Sequence, residues 1–262
     1  MSTGKNAPPD LPFGALKTGR EIIDPEIRGQ HRLFYGTIRL RDQQDERHAY
    51  IKMLPPRLLF AEAISATLGW LLGVPVPETA LVMVRGGMLG LGANHAIGLA
   101  SIDSGAVPIS RIIRTDSVVE RLNKWAHLRT AIVFDELIAN ADRNLRNLIM
   151  DGDGKIWLID HEEALAEPLS NPARSLANFL MGIASAELSE FERHQARRNF
   201  TIQASLYGNL DFVAAAAASQ PACCNVTEEH VERVVEFLRG RIHHMQNLLD
   251  AGLGHRQHKL SL

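Results

Sequence analysis

Residues 134–163, FDELIANADRNLRNLIMDGDGKIWLIDHEE, carry an apolar helix end into a polar loop and then a tight hairpin. Two apolar runs, 147–150 and 155–159, flank Asp151-Gly152-Asp153-Gly154, and an Asp-Gly pair favours the positive φ that hairpin turns require. A hairpin returns the chain to its start, so Asn147 at the entry and Asp160 at the exit meet at the open end, with Asp142 one loop away. Two carboxylates and an amide oxygen suit Mg²⁺, a hard cation that takes oxygen ligands and keeps positions for substrate phosphates. Asp142, Asp151 or Asp153 alone reads as a turn residue, and it is the set of Asp142, Asn147 and Asp160 that points to chemistry. A calcium loop fails on register, because counting from Asp151 puts Ile156 where an EF-hand needs its glycine.

A chain of 262 residues buries a sizeable core, as one two-lobed domain or two small ones. Its 28 basic residues balance 30 acidic ones, and clusters such as Arg193, Arg197 and Arg198 are short, so nucleic acid is not the favoured partner. Cys223 and Cys224 are adjacent, which excludes a disulfide framework, and neither CxxC nor HExxH offers a zinc site. No signal-peptide core and no apolar run of about 18 residues occurs, so a soluble, cytoplasmic protein without a membrane partner is expected. The Ala-rich tract at 213–219 reads as a short helix. Nothing in the sequence sets an oligomeric state.

Upstream of the hairpin the pattern is that of strands. After a loose arm over 1–19, alternation predicts strands at 21–24, 32–40 and 47–53, with a polar turn at 41–46. Lys52 sits between Ile51 and Met53, near an apolar strand end. A lysine there is costly unless it meets an anion, which makes it a candidate phosphate contact; snorkelling from an edge strand is the other reading. Pro55 and Pro56 stop that strand and suit the start of a helix over 57–72, with Leu58, Ala61, Ile64, Leu68, Leu71 and Leu72 as its buried stripe. Glu62 lies in this helix ten residues after Lys52, either solvated or turned toward the lysine. Two further strands are expected at 74–84 and 95–102, and the Gly-rich stretch 86–92 between them lacks GxGxxG and reads as a hairpin turn.

From 105 onward helices dominate. Ser117 with Glu120 predicts a capping box, and Val118, Leu122, Trp125, Leu128 and Ile132 continue as one helical stripe toward Leu137, delivering the loop at Asp142. Ser189 with Glu192 caps a second long helix, and Thr227 opens a third with apolar positions from Val231 to Leu249. Strands first and helices later make an α+β plan with two unlike lobes, β-rich over 20–104 and mainly helical over 105–262.

Lys52, Glu62, Asp142, Asn147 and Asp160 occur in the order of a kinase site. Together with Asn140-Ala141-Asp142-Arg143, Ile159-Asp160-His161 and the run Leu72-Gly73-Val74-Pro75-Val76-Pro77 into a strand, they resemble the HipA-like kinases over roughly residues 25 to 250. These are bacterial relatives of the protein-kinase and phosphatidylinositol-kinase fold. The resemblance implies a two-lobed protein-kinase-like fold, with ATP and Mg²⁺ as cofactors. It implies Lys52 as the ATP-contacting lysine, Glu62 as its helix partner, Asp142 as the catalytic base, and Asn147 and Asp160 as metal ligands. Several marks of ordinary protein kinases are missing: there is no Gly-rich loop, no His-Arg before Asp142, no Ala-Pro-Glu, and Asp160-His161-Glu162 stands where Asp-Phe-Gly would. HipA-like chains share most of these absences. Gly29 and Gln30, in Arg28-Gly29-Gln30-His31, are the candidates for backbone contact with nucleotide phosphate, against the reading of a plain turn. Arg143 reads as a solvated loop arginine, and Asp135, inside the preceding helix, as a poor alternative base. The chain is shorter than full toxin-type members, so no toxin role follows.

The reaction implied is transfer of the γ-phosphate of ATP to a hydroxyl, by a Ser/Thr protein kinase. A kinase of a lipid or small-molecule hydroxyl and a nucleotide-binding pseudokinase module are the rivals. The complete set of five residues argues against the pseudokinase. Between protein and small acceptor the sequence does not decide, because acceptor specificity lives in surface loops.

Overall fold

The computed structural model describes residues 8–23, 31–186 and 188–254. They form an α+β fold, strands first and helices later, whose contacts divide into two compact units. The first unit holds the described residues up to Leu68, together with Pro77–Gly105 and Val213–Glu228; the second holds Gly69–Val76, Ala106–Phe212 and the chain from Glu229.

Five strands build the first unit: β1 (Phe13–Glu21), β2 (Leu33–Leu40), β3 (Glu46–Lys52), β4 (Thr79–Val84) and β5 (Ala96–Ile102). They run in the order β1-β2-β3-β5-β4 and close into a barrel through parallel pairing of β1 with β4, where Phe13 faces Leu81. Closure removes exposed sheet edges. Alternate residues fill the interior, among them Phe34, Ile38 and Leu40 from β2, Ala49 and Ile51 from β3, and Val82 and Val84 from β4. The period of two that marks β2 and β3 in the sequence is thus the barrel's inside and outside. The Gly-rich stretch is the β4–β5 connection, a hairpin with positive φ at Gly87, Gly90 and Gly92.

The expected arm gives way to β1. Its nine residues carry little alternation, since Gly14 and Leu16 are buried but everything from Lys17 to Glu21 is exposed, so only pairing with β2 and β4 reveals the strand. The expected strand at 21–24 is the end of β1, and Asp24, like Gly29 and Gln30, lies outside the described residues. Helix α1 (Pro56–Leu71) follows β3. It is buried on every side from Leu59 to Gly69, including Glu62, Ser65 and Thr67, rather than along a single stripe.

In the second unit, β6 (Val107–Pro108) pairs with β7 (Leu148–Met150), which pairs with β8 (Ile156–Leu158). After α1 the chain forms the helices α2 (Ile109–Ile112), α3 (Thr115–Asn123), α4 (Leu128–Leu137), α5 (Phe179–Ser185), α6 (Glu190–Tyr207), α7 (Phe212–Ala218) and α8 (Glu228–Gly254), all but α7 in the second unit. The capping box of α6 is present, with Ser189 and Glu192 bonded reciprocally. The one expected at Ser117 and Glu120 is not, because α3 begins two residues earlier and the Glu120 carboxylate lies 2.5 Å from Lys124 instead. The stripe from Val118 to Leu137 is two helices, α3 and α4, broken at 124–127. Among the described residues no helix is long and apolar enough to cross a membrane.

Most of α7 returns to the first unit. Leu11 donates its backbone N–H to the Ala218 carbonyl at 2.7 Å and accepts from the Gln220 side chain, while Ser219 Oγ bonds Thr67 Oγ1 of α1 at 3.0 Å.

Gly36 marks a close backbone approach between β1 and β2. A Cβ there would lie 2.3 Å from the Thr18 carbonyl, beside the irregularity in β1 between Leu16 and Thr18. Backbone cannot swing aside as a side-chain tip can. Gly36→Ala is therefore expected to cost about 1–3 kcal/mol in urea denaturation. Gly152→Ala, where a Cβ meets nothing within 4 Å, is expected to stay within about 0.5 kcal/mol of the parent.

Candidate active site

In the first unit, Lys52 ends β3, which has β2 on one side and β5 on the other, so Lys52 faces Leu33 and Leu99 across the ladders. An inner strand gives a lysine no free edge from which to snorkel. Its Nζ lies 3.2 Å from Glu62 Oε1, with side-chain exposures of 22% and 5%. Glu62 is thus a buried acid facing a strand lysine rather than a solvated helix residue.

In the second unit, α4 is buried throughout from Ala131 to Leu137 and carries two consecutive acids in its last turn, Asp135 and Glu136. Neighbouring helix residues point about 100° apart, so each acid finds its own partner. The Asp135 carboxylate takes Arg143 Nε on Oδ2 and Arg143 Nη2 on Oδ1, both at 2.9 Å, and neither side chain is exposed. Arg143 is therefore a buried bridge and not a solvated loop arginine. Its Nη1 donates to the carbonyls of Asn147 at 3.0 Å and Ile159 at 2.6 Å. Asn140 Nδ2 also donates to Asp135, at 3.3 Å, and Asn140 Oδ1 accepts the Asp142 N–H at 3.2 Å.

The loop so held presents the candidate residues. Asp142 is exposed, and Asn147 is buried with its Nδ2 donating to the Asp142 carbonyl at 3.0 Å and to Asp142 Oδ2 at 3.4 Å. The hairpin pairs as its sequence predicts, Leu148 with Leu158 and Met150 with Ile156, and Ile159 N–H bonds the Asn147 carbonyl at 3.1 Å. That bond sets Asp160 next to the Asn147 backbone. Asp160 has φ of 63°, a left-handed conformation that costs L-residues roughly 1–2 kcal/mol and that aspartate tolerates better than most. The turn is closed by Asp151 Oδ1, which accepts from Asp153 N and Lys155 N.

The model of the HipA-like kinase family matches residues 21–203, more than half of the chain. The chain belongs to the HipA-like kinases. A solved structure of a Helicobacter pylori proinflammatory kinase, CtkA, is similar in fold at 15% identity, with a TM-score of 0.50 over 82% of this chain and 93% of that one. No curated protein matches the chain. Family membership makes the protein a kinase, a phosphotransferase, and Lys52, Glu62, Asp142, Asn147 and Asp160 all lie within the matched segment.

Sequence reasoning read Arg143 as solvated and Asp135 only as a poor alternative base, and it passed over Glu136 and Arg241. The signal was present: an Asp-Glu pair inside an apolar helix demands partners. Arg241 falls on the apolar stripe of α8, between Leu238 and Met245. It is fully buried, with Nη2 2.5 Å from Glu136 Oε1, Nε donating to the Glu136 carbonyl, and Nη1 donating to the carbonyls of Pro172 and Arg174. Burial holds the Glu136 carboxyl above its ordinary value of 4.5, against the pull of Arg241, and burial also lowers the Arg241 guanidinium. Both shifts say that desolvation outweighs the attraction. A carboxyl raised on folding binds more protons in the native state than in the unfolded one above that ordinary value, so its contribution falls as pH rises through the raised value. Arg241→Met raises Glu136 further. It is expected to cost about 3–5 kcal/mol near neutral pH, and less at lower pH, where Glu136, held above its ordinary value, is already protonated in the native state. Urea denaturation across that range checks it, and a loss independent of pH would rule it out.

Proposed function

We propose that this HipA-like kinase is an ATP- and Mg²⁺-dependent enzyme that transfers the γ-phosphate to a Ser or Thr hydroxyl of a protein, on a two-lobed protein-kinase-like fold. The observation that carries the reading is the arrangement around Asn147, whose amide is hydrogen-bonded to Asp142 and whose backbone is bonded to the residue before Asp160. An amide oxygen and a carboxylate on adjoining backbone segments are hard oxygen donors of the kind Mg²⁺ takes, so the residues fit the metal. Bound there, Mg²⁺ would neutralise charge on the phosphate oxygens.

The chain's own groups do the rest. Lys52 holds the nucleotide phosphates, and Glu62 holds Lys52 extended for that task. Asp142 accepts the proton of the acceptor hydroxyl as the oxygen attacks. Its exposure suits an acceptor carried on a macromolecule. Asn147, through its hydrogen bond to Oδ2, orients that carboxylate while offering its amide oxygen to the metal. Phosphoryl transfer asks for positioning and charge stabilisation, and these residues supply both.

Incubation with γ-labelled ATP and Mg²⁺, followed by phosphosite mapping, tests the reaction. Asp142→Asn is expected to keep ATP–Mg²⁺ binding and lose roughly 10²–10⁴ in transfer rate, the usual worth of a positioned proton acceptor. Asp160→Asn is expected to lose both, and Lys52→Met to abolish transfer. Transfer by Asp142→Asn at the parent rate would remove it as the base.

A further inference from the structure

The Asp135–Arg143 pair lies outside the five residues assigned above, yet its bonds reach every segment that carries the three in the second unit. We infer that Asp135 and Arg143 are positioning residues of the phosphoryl-transfer site, one buried carboxylate on α4 setting the base loop and both metal-ligand segments at once. The inference rests on the proposed function for what is positioned; the positioning itself does not depend on it.

Arg143 is the arm of this device. Its Nε and Nη2 lock onto Asp135, and the remaining nitrogen, Nη1, joins the residue before β7 to the residue after β8 by bonding the carbonyls of Asn147 and Ile159. Those are the backbone of one proposed metal ligand and the peptide immediately before the other. Pinning the Ile159 carbonyl orients the peptide plane from which Asp160 departs with φ of 63°. Asn140 is the second arm, linking the same Asp135 carboxylate to the Asp142 N–H. Lysine, with a compact ammonium on a flexible stem, pairs with Asp135 but does not reproduce a planar fork reaching acceptors on both sides.

Three variants of the full chain test this. Arg143→Lys keeps the buried charge pair, the double change Asp135→Leu with Arg143→Met removes both charges and packs the space, and Asn140→Ala removes only the arm to Asp142. Folding is confirmed by thermal melting. The first two are expected to raise the half-saturating Mg²⁺ concentration or lower kcat by about 10–100-fold, as loss of partners behind metal ligands does. Hydrogen exchange of peptides covering 140–147 and 156–162 is expected to quicken about tenfold or more, with α8 unchanged. Asn140→Ala is expected to lower kcat while leaving the Mg²⁺ dependence alone. A folded Arg143→Lys or double variant with parental exchange in those peptides, or with parental kcat and Mg²⁺ dependence in an active enzyme, overturns the inference. Should the parent neither bind nor consume ATP with Mg²⁺, the proposed function fails, and the exchange data alone decide the positioning.

Discussion

A guanidinium with no exposed surface must place its N–H groups on acceptors, because the interior offers no water to take them. Arg143 meets that demand with one carboxylate and two main-chain carbonyls, and the geometry of the loop between α4 and β8 follows from it. The same helix repeats the device one residue on, where Glu136 takes Arg241 from α8. The end of α4 is thus anchored toward the hairpin by one acid and toward the C-terminal helix by its neighbour. Buried pairs of this kind add little net stability, yet breaking one is costly. Their effect is to leave the surrounding backbone a single arrangement.

The first unit solves a different problem. Five short strands close on themselves, and the closing contact is a parallel pairing between the first and fourth strands, far apart in the chain. Segment 213–228 then comes back to tie Leu11 and α1. Lys52 and Glu62 stand on an inner strand and on a helix buried all round. Neither side chain has the freedom that either would have on a surface.

Likeness to CtkA at 15% identity shows how little of the residue content a fold of this kind demands. What this chain keeps of the kinase pattern is spacing: five residues from Asp142 to Asn147, thirteen more to Asp160, and ten from Lys52 to Glu62. Each interval is the length of a local element, a loop, a hairpin, or a strand-to-helix turn.

The same distinction separates what was legible from what was not. The hairpin around Asp151-Gly152, the adjacency of Asn147 and the Asp160 segment, the capping box at Ser189, and the α+β order were all readable, because each is set by contacts within a few residues. The strand at 13–21 was hidden, since its face shows almost no alternation until β2 and β4 flank it. The capping signal at Ser117 misled, because a Ser and a Glu three apart also occur inside a helix. Arg143 looked solvated because it stands in a polar loop; its buried partner is eight residues back, across a helix end. By itself the sequence determined the local elements and the residue chemistry they carry. Only the tertiary structure decided which charges are buried and which backbone segments they bind, because a desolvated charge chooses its partners by proximity in space, over separations reaching 105 residues between Glu136 and Arg241.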